Sequence, residues 1–154
     1  MKSRATISLL NEIETAINNI KSLGVISKIE ESYLTKFLIV FTSGIYEQII
    51  ENILSEWALA KCHPQIAHFI IRYINNKFRN PDIENIVRVL SEFNKDWADE
   101  IEKLPNANKS ALDTIVSNKN AIAHGTLSII NLTKFEDLYN ASKKVIEKID
   151  NIVL

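Results

Sequence analysis

The spacing of apolar residues is helical almost throughout this chain. Apolar positions recur every three or four residues, and the alternation typical of strands is absent. The pattern predicts an all-α bundle of about six or seven helices with a long central helix and no sheet. The expected helices span about 6–23, 27–60, 63–78, 94–104, 108–125 and 133–153, and a short helix begins at residue 81.

Residues typical of helix ends support these boundaries. Ser-x-x-Glu sequences predict capping boxes, proline favours the first helical position, and glycine favours the position just after a helix. The predicted signals are the capping boxes Ser27/Glu30 and Thr133/Glu136, the first-turn prolines Pro64 and Pro81, and the stops Gly24 and Gly125. The segment 105–109 is predicted to be a polar loop.

The second helix is apolar over more than half of its circumference. Its apolar positions run from Leu34 to Trp57 with few interruptions. A helix of this kind must be covered on two sides. Either the other helices of the same chain surround it, or a second copy covers one side. We expect a symmetric homodimer, the commonest arrangement of this type.

Length, charge and cysteine content narrow the possible classes. The 154 residues suit a single domain spanning 1–154, and the net charge of −1 excludes a global field for nucleic acid. Cys62 is the only cysteine, which excludes an internal disulfide and fits a reducing compartment. Polar residues interrupt 1–13, and the longest purely apolar run, 37–41, is too short to cross a bilayer. We therefore expect a cytoplasmic protein without a membrane partner.

The segment Lys119–Gly125, K-N-A-I-A-H-G, combines a cation, an amide and an imidazole at the end of a predicted helix. Lys119 lies in register with the apolar face, so its ammonium should either extend outward to solvent or meet an acceptor. The candidate acceptors are Glu47, Glu51 or an anionic ligand. His124 falls in the last predicted turn, four residues after Asn120. Such a set could act on a phosphodiester, although a helix-capping or surface role for the histidine is the alternative.

At this point the chain resembles a known family. K-N-A-I-A-H-G is similar to the signature of HEPN domains, often R-N-x-I-A-H-G, and F-L-I-V-F-T-S-G-I-Y-E-Q-I-I-E and R-N-P-D-I-E-N-I-V resemble the HEPN group associated with RiboL-PSP proteins. The resemblance implies an antiparallel helical bundle that dimerises so that two motifs face one cleft. It also implies a metal-independent endoribonuclease without cofactors, from a toxin–antitoxin or antiphage defence system. Other members are non-catalytic, so the alternative for this chain is a catalytically inactive HEPN dimer that binds RNA, a nucleotide or a partner protein.

The resemblance assigns roles by position. His124 would activate a ribose 2′-hydroxyl and leave a cyclic phosphate, and Asn120 would orient the phosphate or its partner across the dimer. Lys119 stands where the family has arginine, and loss of one such transition-state donor typically costs about 3 kcal/mol, roughly a hundredfold in rate. Glu47 is the candidate supporting acid. The implied partners are RNA, a second copy and a cognate antitoxin or other defence protein.

A local concentration of positive charge precedes the motif. Three of the four arginines lie between residues 72 and 88, although lysine outnumbers arginine 14 to 4 in the whole chain. We expect Arg72, Lys77, Arg79 and Arg88 to contact RNA phosphates, and a solvated helix face is the alternative. His63 and His68 are five apart, and no carboxylate lies at ligand spacing beside them, so no metal site is predicted.

Overall fold

The computed structural model describes residues 1–125 and 129–154. These residues form seven helices and no strand, so the all-α prediction is confirmed. The helices are α1 Arg4–Lys21, α2 Lys28–Lys61, α3 Pro64–Lys77, α4 Ile83–Phe93, α5 Lys95–Glu102, α6 Asn106–Ala123 and α7 Leu132–Val153.

Helix α2 is the centre of the bundle. Its predicted capping box is present, since Ser27 accepts from the Glu30 N–H and Glu30 accepts from the Ser27 N–H. It packs against α1, α3, α6 and α7. Its length and hydropathy alone would suit a membrane span. In this fold, however, more than half of the apolar window is buried among the other helices.

Two sets of polar contacts hold α7 in the bundle, one to α2 and one to the residues that precede α1. The hydroxyl groups of Tyr46 on α2 and Ser142 on α7 are 2.9 Å apart inside the core, and Ser142 also donates to a backbone carbonyl of α7. The buried carboxylate of Asp150 accepts from the backbone N–H groups of Lys2 and Ser3. Since a buried carboxylate needs donors, these bonds fix the start of α1 against the end of α7.

Helices α4 and α5 dock on α2 through aromatic side chains. Trp57 of α2 meets Phe93 of α4 with ring centroids 5.7 Å apart, and meets Trp97 of α5 at 5.3 Å. Both pairs are edge to face, the arrangement that aromatic quadrupoles favour. The aromatic cluster thus joins α4 and the acidic α5 to α2.

Two predicted helix starts are wrong. Helix α4 begins after Asp82, whose carboxylate accepts from the backbone N–H of Asn85, so Pro81 precedes the helix instead of opening it. Helix α7 is capped by Asn131, which accepts from the Lys134 N–H, and not by the predicted Thr133/Glu136 box. In both places a second good capping residue stands close by in the sequence, and the local pattern does not distinguish them.

The motif helix is also shifted relative to its predicted span of 108–125. The carbonyl of Pro105 accepts from the N–H groups of Asn108 and Lys109, so α6 already begins at Asn106 and most of the predicted 105–109 loop is helical. At the other end α6 stops at Ala123. His124 therefore lies just beyond the helix and not in its last turn.

Candidate functional site

The candidate site lies at the carboxyl end of α6. His124 is the C-cap residue, with φ −93° and ψ 11°, and its N–H donates to the carbonyls of Asn120 and Ala121 at 3.1 and 3.2 Å. Gly125 follows with φ 77°, the left-handed conformation that glycine adopts without strain. These backbone bonds fix the position of His124, while its side chain is exposed. An imidazole held in this way can exchange protons with a bound molecule.

Lys119 is partly buried and meets two amide oxygens. Its Nζ donates to Oδ1 of Asn80 at 2.6 Å and to Oδ1 of Asn120 at 3.2 Å. These acceptors differ from the expected carboxylates of Glu47 and Glu51. Because both amides are neutral, these hydrogen bonds do not cancel the positive charge of the ammonium. The side chain is thus ordered without losing its attraction for an anion.

Asn80 belongs to the segment between α3 and α4 and is itself firmly held. Its φ of 55° is the one left-handed value among non-glycine residues in 1–125 and 129–154. Its N–H donates to Oε2 of Glu47 at 3.1 Å, and its carbonyl accepts from Nδ2 of Asn85 at 3.2 Å. The following Pro81 is buried. Three elements, α2, the α3–α4 segment and α6, therefore meet at Asn80.

Glu47 and Glu51 of α2 are paired with a different cation. Nη1 of Arg79 lies 3.4 Å from Glu51 and 3.8 Å from Glu47, and the guanidinium also donates to two backbone carbonyls. Burial and the neighbouring Glu47 raise the pKa of Glu51, and Arg79 opposes this change. Glu47, the predicted supporting acid, contacts Arg79 and the Asn80 backbone, so its link to Lys119 runs through Asn80.

A sequence profile of the RiboL-PSP-HEPN family matches residues 4–154. The chain belongs to this family. The match covers nearly the whole chain and confirms the resemblance that the motif first indicated. No curated protein and no solved structure matches the chain significantly.

The four cations predicted to bind RNA have different surroundings in this HEPN domain. Arg79 faces the α2 glutamates, and Arg88 lies 3.6 Å from Glu92 and 3.1 Å from the amide oxygen of Asn85. Arg72 and Lys77 form no ion pair within the described residues, and both line a shallow groove of about 540 Å³ along α3. RNA binding by these four residues stays a prediction. Because Arg72 and Lys77 have no ion-pair partner among the described residues, they are the strongest candidates.

The groove on α3 also presents aromatic and imidazole groups. Phe69 is 70% exposed, and the hydroxyl of Tyr73 donates to Glu92 at 2.9 Å, which fixes the ring at the edge of the groove. His68 lies on the same face. The groove ends at Lys77, three residues before Asn80, whose side chain accepts from Lys119 of the motif. Cations and exposed rings together suit a nucleic-acid strand.

An apolar stripe remains uncovered on α2 of the HEPN domain. Ile29, Tyr33, Phe37 and Val40 are between 43% and 69% exposed, and their spacing of four, four and three residues places them on one face. The rings of Phe37 and Phe41 stack with centroids 5.4 Å apart. The other helices of the chain therefore explain most, but not all, of the apolar circumference of α2.

The sequence predicts no metal site. Among the described residues, no group of three His, Cys, Asp or Glu side chains is placed to hold an ion. His63 caps the start of α3 by position only, since its side chain makes no capping hydrogen bond. Metal independence therefore stays a prediction.

Asn80 is a site residue that was not predicted from the sequence. Two local signals could have indicated it: asparagine before proline marks a turn, and asparagine tolerates the left-handed conformation better than most residues. Neither signal predicts that the side chain reaches a lysine 39 positions further along. That contact depends on the packing of α2 against both α3 and α6.

Proposed function

We propose that this HEPN protein is a metal-independent endoribonuclease that works as a homodimer in a toxin–antitoxin or antiphage defence system. The observation that carries the proposal is the ammonium of Lys119, whose partners among the described residues are two neutral amide oxygens, five positions before an exposed His124. An ammonium with neutral partners can attract a phosphate, and the exposed imidazole of His124 can move a proton.

The proposed reaction is attack by the ribose 2′-hydroxyl on the adjacent phosphorus. His124 takes the 2′ proton while the 2′ oxygen forms its bond to phosphorus. The bond from phosphorus to the 5′ oxygen breaks, and that oxygen leaves with a proton from a second acid, for which the His124 copy across the dimer is the candidate. The products are a 2′,3′-cyclic phosphate and a 5′-hydroxyl. Lys119 stabilises the charge that develops on the phosphate oxygens.

The exposed stripe on α2 is the proposed dimer surface. An apolar face of this kind is unusual on a monomer when its members are contiguous, and a second copy would cover it. Phe37→Glu should convert the dimer to a monomer in light scattering. Leu59→Glu, at an exposed apolar position near the other end of α2, is the matched control and should leave the dimer intact. A wild-type monomer at micromolar concentration would remove the facing-motif geometry.

The decisive test is cleavage of RNA in the presence of EDTA. The wild type should release fragments ending in cyclic phosphate, identified by mass spectrometry, and His124→Ala should abolish this cleavage. His63→Ala is the matched control, because His63 is another exposed histidine at a helix end. No cleavage of any RNA by concentrated pure protein would refute the enzymatic proposal. In cells, growth arrest on expression should likewise depend on His124.

The second candidate is a catalytically inactive HEPN dimer that binds RNA, a nucleotide or a partner protein. The observation that favours it is the lysine at position 119, because an ammonium is a point charge and cannot grip two phosphate oxygens as a guanidinium does. This candidate predicts no cleavage by the wild type or by Lys119→Arg. It also predicts RNA binding that His124→Ala leaves unchanged.

A further inference from the structure

We propose that Asn80 is a positioning residue for Lys119, and that Arg79 keeps the α2 carboxylates from neutralising the lysine. The inference deepens the proposed function by naming what makes the site cation usable, and it rests on that function where cleavage is the readout. The two residues come from the segment between α3 and α4, outside the motif. The site is therefore incomplete without this segment.

The backbone of Asn80 shows that the position is held in place. A non-glycine residue at φ 55° adopts a sparsely populated conformation, and such residues persist only where their surroundings hold them. Here the Glu47 carboxylate accepts the N–H, the Asn85 side chain donates to the carbonyl, and a buried proline follows. The amide is thus aimed at Nζ of Lys119 before any ligand binds.

The charge of Lys119 is not balanced by its two neutral partners. An ammonium has three N–H donors and no acceptor. Two of the three donate to the amide oxygens of Asn80 and Asn120. Within residues 1–125 and 129–154 no acceptor meets the third, so one donor and the positive charge remain for an anion. A carboxylate at the place of the Asn80 amide would hold the lysine equally well but cancel the charge.

Arg79 explains why no carboxylate occupies that place. Glu47 and Glu51 both lie on α2 close to the segment that holds Asn80, and they were the acceptors expected from the sequence. Their carboxylates instead face the guanidinium of Arg79, at 3.8 and 3.4 Å. One permanently charged guanidinium thus lies beside both acids and draws them away from Lys119. The ammonium of Lys119 is left with neutral partners.

The test compares two substitutions of Asn80 that separate position from charge. Asn80→Gly keeps the left-handed backbone and removes the amide oxygen. Asn80→Asp keeps an acceptor and adds a negative charge. Asn106→Asp, at the exposed first position of α6, is the control for the added charge. Circular dichroism and thermal unfolding would establish that each variant is folded.

The first measurement is independent of activity. In spectra of ¹³C-labelled protein, the Lys119 ε-methylene is assigned by its loss in Lys119→Arg, and its relaxation reports side-chain order. It should be restricted in the wild type, mobile in Asn80→Gly, and restricted in Asn80→Asp and in the control. Unchanged order in a folded Asn80→Gly would overturn the positioning role, whatever the protein does to RNA.

The second measurement uses RNA cleavage. In Asn80→Gly, kcat should fall about 10- to 100-fold with KM changed less than about threefold, since misplacement of a catalytic group by about 1 Å can cost a hundredfold. Asn80→Asp should lose a similar factor despite its ordered lysine, and Asn106→Asp should match the wild type. If Asn80→Asp retains full activity, the charge argument is wrong. If the wild type itself does not cleave RNA, the proposed function fails, and lysine order alone decides the positioning role.

Discussion

The pairing state of the cations near the motif leads to a quantitative prediction about salt. Arg72 has no ion-pair partner among the described residues, whereas Arg88 lies 3.6 Å from Glu92. Only a cation that is free before binding releases a full counterion from RNA when it binds a phosphate. Arg72→Gln and Arg88→Gln make the same change of charge on neighbouring helices. They should nevertheless have unequal effects on RNA affinity.

The magnitude follows from counterion release. On single strands, each phosphate contact contributes about 0.7 to the slope of log affinity against log salt. Arg72→Gln should therefore lower the slope by about 0.7, and the drop in affinity from about 50 to about 300 mM NaCl should become about 3.5-fold smaller. Arg88→Gln should change the slope by less than about a third of that value, because Glu92 already balances its charge.

The assay is fluorescence anisotropy of a labelled single-stranded oligoribonucleotide, titrated at several salt concentrations with His124→Ala as the background so that the strand stays intact. Lys77→Gln should behave like Arg72→Gln, since both side chains line the α3 groove. If Arg88→Gln lowers the slope as much as Arg72→Gln does, pairing does not decide which cations bind RNA. Arg72 and Lys77 would then be no better candidates for RNA contacts than Arg88.

Three further predictions concern the core, pH and helix capping. Ser142→Ala leaves the buried hydroxyl of Tyr46 without its partner and should lower the free energy of unfolding in urea by about 2 kcal/mol. Tyr46→Phe should lower it by about 1 kcal/mol, because Ser142 keeps a backbone acceptor. Equal costs for the two variants would contradict this reasoning. Burial and Glu47 raise the pKa of Glu51. The protein should therefore lose stability as the pH rises above 4.5, the ordinary pKa of a glutamate. Glu51→Gln should reduce that loss, measured as the thermal unfolding temperature across a pH series. Asp82→Ala should lower the free energy of unfolding by about 1 kcal/mol through loss of the α4 cap, and Asp82→Asn should restore most of it.

Features set by neighbours in the chain could be predicted from the sequence. The Ser27/Glu30 box and the long apolar run that follows it specify α2 locally, and the structure has that helix within one or two residues of its expected span. The start of α4 was not predictable in the same way. Pro81 and Asp82 both suit a helix start, and the choice depends on which side chain reaches the Asn85 N–H.

The site was predictable in composition but not in its contacts. Lys119, Asn120 and His124 are recognisable as a set because they are neighbours on one helix end. The partner of Lys119 is not, because opposite charge favours Glu47 while the structure places Asn80 between them. That outcome depends on Arg79 occupying the glutamates, a long-range arrangement that no local pattern encodes. The chemical groups of the site could be predicted from the residues, but the contacts between those groups depend on the fold.

The aromatic cluster between α2 and α5 has an optical consequence. The protein has two tryptophans, Trp57 and Trp97, and both lie in this one cluster. Intrinsic emission therefore reports the docking of α4 and α5 on the bundle, while ellipticity at 222 nm is dominated by the five longer helices. If α4 and α5 detach first on heating, emission will change at a lower temperature than ellipticity. Unfolding will then proceed in two steps instead of one.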